Sequence, residues 1–167
     1  LIVYGTSRQV EANHTLGLRF QTTLADAFTE TLLPLRSDAA LSDAERASHN
    51  LIVLGGPSEN HVAEQLLASG MTSDLPLTAG KNYFRWMGRL HARSDEGLLL
   101  ALPDPERPER AVFLYLANSA LELYEMTRLY TPGLPSWVRF QGGEIKDQGH
   151  YPIDRLLLDP TRTSDAR

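Results

Sequence analysis

The chain has 167 residues, 42% hydrophobic and 22% charged, with a formal net charge of -5 and no cysteine. That length suits one domain with a real core, and the ordinary composition excludes disorder and a coiled coil. The acidic balance and the scarcity of lysine (only Lys81 and Lys146) argue against nucleic acid, no apolar run can span a bilayer, and disulfides and thiolate zinc sites are excluded.

Leu1–Tyr4 reads as an apolar strand running into Gly5-Thr6-Ser7. It starts with neither an initiator Met nor a signal peptide, so the chain is expected to be part of a longer protein. Residues 8–15 are polar and irregular. A helical pattern then runs from Leu16 to Leu33, with Leu16, Phe20, Leu24, Ala27, Phe28 and Leu32 on one face, and Pro34 ends it. Leu35-Arg36 is a strand stub. Ser42 and Glu45 have capping-box spacing for a short helix over Asp43–Ser48.

The stretch Leu51–Asn60, LIVLGGPSEN, organises this half. Four consecutive apolar residues are too few for a helix and lack alternation, as in a central parallel strand. Gly55 and Gly56 permit a sharp turn, Pro57 suits a helix start, and Ser58 or Asn60 can cap the helix His61–Ser69, which Gly70 stops. The order β-α-(β)-α-β-α implies parallel strands joined by crossovers.

After Gly70 the pattern changes. Asp74–Thr78 is a candidate strand, and Tyr83–Met87 with Arg89–Ala92 forms a hairpin about Gly88. Gly97–Leu102 is strongly apolar, residues 103–108 form a proline-stiffened loop, and Ala111–Ala117 is a second buried strand. Asn118 and Ser119 cap a helix through Tyr130. Trp137–Phe140 is the last strand, and Gly142-Gly143 is a turn. The predicted fold is a three-layer α/β domain over residues 1–160, Rossmann-like or flavodoxin-like. Its sheet is mostly parallel with an antiparallel hairpin insertion, and the tail 161–167 is frayed. Leu51–Leu54 and Ala111–Ala117 should be its most buried strands.

This succession resembles an α/β accessory domain found beside α/β-hydrolase or peptidase catalytic domains in large secreted bacterial proteins. The features that carry the likeness are Gly55, Pro57 and Asn60 after the central strand, then the loop Pro103-Asp104-Pro105 and Pro108-Glu109-Arg110, then Asn118 and Ser119. It covers roughly residues 1–150, with Asp104 where the group has Asn. The resemblance implies an accessory role next to a hydrolase and an extracytoplasmic location, and supplies no catalytic residue; no cofactor is expected.

Two functional readings stand. In the first, the chain is a non-catalytic interaction domain whose partner is a neighbouring domain or another subunit. Its docking candidates are Tyr83, Arg85, Met87, Arg89 and His91, counted as one alternating face of the hairpin opposite Phe84, Trp86 and Leu90. In the second, the strand ends form a small-molecule or nucleotide site, binding or enzymatic, through Gly5, Thr6, Gly55, Gly56, Ser58, Asn60, Asn118 and Ser119. The same residues serve equally as turns and caps. There is no G-x-S-x-G elbow, Walker loop or H-E-x-x-H pair, so neither a catalytic nor a metal site is assigned.

Overall fold

A computed structural model describes residues 1–28, 31–69, 75–104, 106–128 and 135–151. In chain order the first elements are β1 (Ile2–Tyr4), α1 (Val10–Phe28), β2 (Leu35–Ser37), α2 (Asp43–Ser48), β3 (Leu51–Leu54) and α3 (His61–Ala68). Then come β4 (Leu77–Gly80), β5 (Tyr83–Trp86), β6 (Arg89–His91), β7 (Glu96–Pro103), β8 (Ala111–Ala117), α4 (Ala120–Met126), β9 (Trp137–Gln141) and β10 (Glu144–Gly149).

Seven strands form one mixed sheet in the order β10-β9-β7-β8-β3-β1-β2, and β4-β5-β6 form a separate antiparallel sheet. The expectation of a mostly parallel sheet is corrected. β2, β1, β3 and β8 are parallel, whereas β7, β9 and β10 join antiparallel. The connections explain this. A parallel neighbour needs a long crossover, and the loop between Pro103 and Ala111 is too short for one. A two-residue turn likewise forces β10 back along β9. That strand lies beyond the one expected to be last. Its sequence EIKDQG is exposed almost throughout, so it carries no apolar signal.

Both faces of the sheet are covered. Val3, Val53, Leu98, Leu100, Leu114 and Leu116 point to one side, where Val62 and Leu66 of α3 and Leu77, Phe84 and Trp86 of the small sheet meet them. On the other side Ile2 and Leu54 pack on Leu16 and Phe20 of α1 and on Leu123 of α4. β3 is interior and buried as expected. β8 is interior but alternates, because Phe113, Tyr115 and Ala117 face a helical layer that does not seal them; β7 is the more continuously buried strand.

α1 starts at Val10, six residues before its apolar stripe. Those first turns read as irregular because they make little contact with the core. Asn13 ties them down by donating to the carbonyls of Gly5 and Arg8 at 3.0 and 2.8 Å. Leu32 falls outside α1 and is exposed, so it is not part of the helix face. The capping box at α2 forms as its spacing predicts: Ser42 and Glu45 satisfy each other's backbone N–H groups. Gly70, Asp74, Pro105, Leu129, Tyr130 and the tail lie outside the described residues.

The hairpin forms where expected, but its faces are redistributed. Met87 and Gly88 make a two-residue turn with φ of 49° and 79°, so Phe84 pairs with His91, Arg85 with Leu90 and Trp86 with Arg89. Side chains paired across an antiparallel ladder share a face. Alternation counted straight through this turn therefore puts the residues after it on the wrong side. His91 belongs to the buried face beside Phe84, and Leu90 belongs to the exposed one.

Candidate functional site

β2, β1, β3 and β8 all run the same way, so the turns after them share one edge. Gly5, Thr6 and Ser7 follow β1, Asp38 follows β2, Gly55 and Gly56 follow β3, and Asn118 and Ser119 follow β8. Ligands of open α/β sheets bind at such an edge, at the point where strand order reverses.

Here the chain fills that point itself. The turn after β3 folds over the end of β1. An added Cβ on Gly5 would collide with the Glu59 carbonyl, which accepts the Ser7 N–H at 3.1 Å. Gly55 sits at φ 101°, a conformation that side chains resist, and this aims the turn back towards β1. Asn60 is completely buried. Its amide donates to the carbonyls of Val3 and Leu54 at 3.3 and 3.0 Å, and its oxygen accepts the N–H groups of Val62 and Ala63. One side chain thereby locks β1 to β3 and caps α3; Ser58 does not cap it.

The free amides at this helix start attract negative charge, and two carboxylates of the chain supply it. Asp38, itself buried, accepts the His61 N–H at 2.7 Å, the Thr6 hydroxyl at 2.6 Å and the Ala39 N–H at 2.8 Å. Glu59 accepts the Gly56 N–H at 3.2 Å. Neither carboxylate stands out in the sequence, because a turn acid is indistinguishable from a solvated one until the strands are paired.

Asn118 and Ser119 share the edge but turn away from it. Asn118 donates to the carbonyls of His91 and Arg93, and the Ser119 hydroxyl donates to that of Ser94 at 2.6 Å while accepting the Glu122 N–H. They fasten the small sheet to the main one. In the same joint the buried His91 ring lies 2.8 Å from Glu96 and stacks on Phe84. Burial pushes the Glu96 carboxyl up, but the Arg93 N–H and the His91 ring outweigh it and hold the group below its ordinary value. Burial also pushes Glu122 up, against the N–H groups it accepts from the Gly142-Gly143 turn.

Two further arrangements escaped sequence reasoning. Ser7 Oγ lies 3.3 Å from His61 Nε2, and His61 Nδ1 lies 3.5 Å from Glu64. The three groups are exposed, so no low-dielectric surroundings strengthen the relay. Between α1 and α4, a groove of about 410 Å³ is lined by Arg19, Asp26, Tyr124 and Arg128 among others, with Arg19 stacked 4.7 Å above the Tyr124 ring. Its walls lie about a hundred residues apart in sequence. Among the described residues no group of three or more His, Asp or Glu is placed to hold a metal ion.

The small sheet offers a different surface. Phe84, Trp86 and His91 are buried beneath it, while its outer side exposes Tyr83 (43%), Met87 (55%) and Leu90 (52%). Arg85, Arg89 and Lys81 are exposed with them. The Tyr83 ring lies against the bare backbone of Gly80, where an added Cβ would strike it. Of the five residues expected on one docking face, His91 is therefore withdrawn into the core, Arg89 moves to the exposed rim of the face it shares with Trp86, and Leu90 joins the outer side.

Comparison of the chain with protein-family models, curated proteins and solved structures finds no match. No described helix is long and apolar enough to cross a membrane.

Proposed function

We propose that this chain is a non-catalytic accessory domain of a larger hydrolase or peptidase, and that it docks on a neighbouring domain through the outer face of β4-β5-β6. The observation that carries this reading is the exposure of Tyr83, Met87 and Leu90 together on a sheet face whose other side is anchored in the core. Met87 adds to it. It occupies the left-handed region at a turn position that favours Asn, Asp or Gly, so an exposed apolar side chain is kept there at a conformational cost. The strand-end crevice, where a ligand-binding domain of this build would act, is packed with the chain's own carboxylates and turns. The parallel order β2-β1-β3-β8 supports a flavodoxin-like reading of that half.

Hydroxyl-radical footprinting of the full-length parent protein tests the docking. Met126 is fully buried and gives an internal standard for a covered methionine. Docking predicts that Met87 oxidises nearly as slowly as Met126, and that Tyr83→Ser with Leu90→Ser restores fast oxidation. A Met87 that already reacts fast in the parent protein overturns the reading.

A second reading, an enzyme or ligand site at the strand edge, is favoured by the Ser7–His61–Glu64 contacts. A fluorophosphonate probe tests it. Covalent labelling at Ser7, lost in His61→Ala, would favour a serine nucleophile there; an unlabelled Ser7 rules that out.

A further inference from the structure

The docking face has a charge character unlike the rest of the chain, and this specifies what covers it. The protein carries 21 acidic residues, yet none lies between Leu75 and Ser94. Arg85 lies on the outer face, Lys81 in the turn beside it and Arg89 at the exposed rim of the face it shares with Trp86, and no described carboxylate forms an ion pair with any of them. Elsewhere several cations are matched, Arg36 with Glu45, Arg46 with Asp104, Arg93 with Asp95, Arg128 with Glu125 and Lys146 with Glu144, while Arg8, Arg19, Arg110 and Arg139 stand without a described ion pair; what sets the small sheet apart is the clustering of three such cations in an acid-free stretch. Among the described residues Arg85 donates to the Gly88 carbonyl within its own turn, at 2.8 Å, and meets no carboxylate.

Resting on the docking reading above, we infer that the neighbouring domain presents an acidic surface with an apolar centre. Its carboxylates meet Lys81, Arg85 and Arg89, and its apolar groups meet Tyr83, Met87 and Leu90. Three points select this occupant. Planar guanidinium forks recognise carboxylates, and burying them against an uncharged surface would leave them unpaired at high cost. The apolar side chains between the cations supply the dry centre that charge alone does not. Of the main sheet's two edges, β10 is charged and bulged at Lys146, which guards it against strand addition and leaves the exposed side chains of the small sheet as the better docking surface.

The chain's two lysines make the test specific. Carbodiimide coupling joins an amine to a carboxylate with loss of water and leaves no spacer. In the full-length parent protein, Lys81 should couple to an Asp or Glu of another domain, whereas Lys146 should couple only to its neighbour Glu144. Raising the salt, or making Arg85→Glu with Arg89→Glu, should abolish the Lys81 product and raise Met87 oxidation roughly tenfold. These arginines are exposed, and the salt titration needs no variant, so misfolding cannot imitate the result. A protected Met87 with no Lys81 product, unmoved by salt or charge reversal, overturns the acidic partner and leaves docking intact. A fast-reacting Met87 in the wild-type parent removes the docking reading as well. Coupling between two copies assigns the face to self-association and overturns the inference.

Discussion

The carboxylate of Asp38 accepts the backbone N–H of His61 at 2.7 Å, so α3 begins on an anion that the chain provides itself. Asp38→Ala should lower stability by about 1–3 kcal/mol, because the Thr6 hydroxyl and two backbone N–H groups lose a buried acceptor. The vacated position should then accept an external anion. Sulfate is expected to raise the melting temperature of the variant well beyond its effect on the wild type. Equal shifts in the two proteins would mean that the carboxylate is not standing in for a ligand anion.

Asn60 combines a helix cap with a brace between strands, and a graded series separates the two. Asn60→Ser keeps an oxygen for the Val62 and Ala63 N–H groups but loses the donor to Val3 and Leu54, so it should cost about 1.5 kcal/mol. Asn60→Ala loses both functions and should cost about 3 kcal/mol. Urea titration reads the difference, and equal losses for the two variants would show that only the brace matters.

Met87→Asn should stabilise the domain by about 0.5–1 kcal/mol, since Asn tolerates the φ of 49° that Met87 adopts. On the proposed docking reading, the same change should also weaken association with the neighbouring domain. Stabilisation with unaltered docking would show that Met87 contributes nothing to the interface.

Glu122 gives a pH dependence of defined sign. Burial raises its pKa in the folded state, so the folded protein holds that proton more tightly than the unfolded chain does. Its contribution is favourable below the ordinary carboxylate value and is lost as pH rises through the raised one. Glu122→Gln keeps a carbonyl oxygen for the Gly143 N–H and should remove that loss. In denaturant titrations between about pH 4 and pH 7, the variant should gain on the wild type as pH rises. A constant difference across that range would contradict the assignment.

Much of the parallel half was legible in the sequence, because buried parallel strands, helix stripes and the Ser42–Glu45 box are local patterns. β10 was not, since an edge strand facing water on both sides needs no apolar residue. The antiparallel direction of β7 was written in the shortness of the loop before β8 rather than in either strand. The candidate edge was half legible. Gly5, Gly55 and Asn60 stood out, but their role depends on Glu59 and Asp38, which no short motif links to them. Arg89, Leu90 and His91 changed faces for a topological reason, not an energetic one: a two-residue turn inverts the odd-even count.

The position of β8 bears on how the chain assembles. β7 to β10 join through short connections or a single helix, whereas β3 must find β8 across the whole segment from Leu51 to Val112. Loop-closure entropy makes that pairing slow compared with the hairpins that precede and follow it. Until it closes, Leu51–Leu54 offers a bare, fully apolar strand edge to any other nascent chain. Substitutions that delay this seam should therefore show first as insoluble protein during expression, even where the finished fold unfolds at an unchanged temperature.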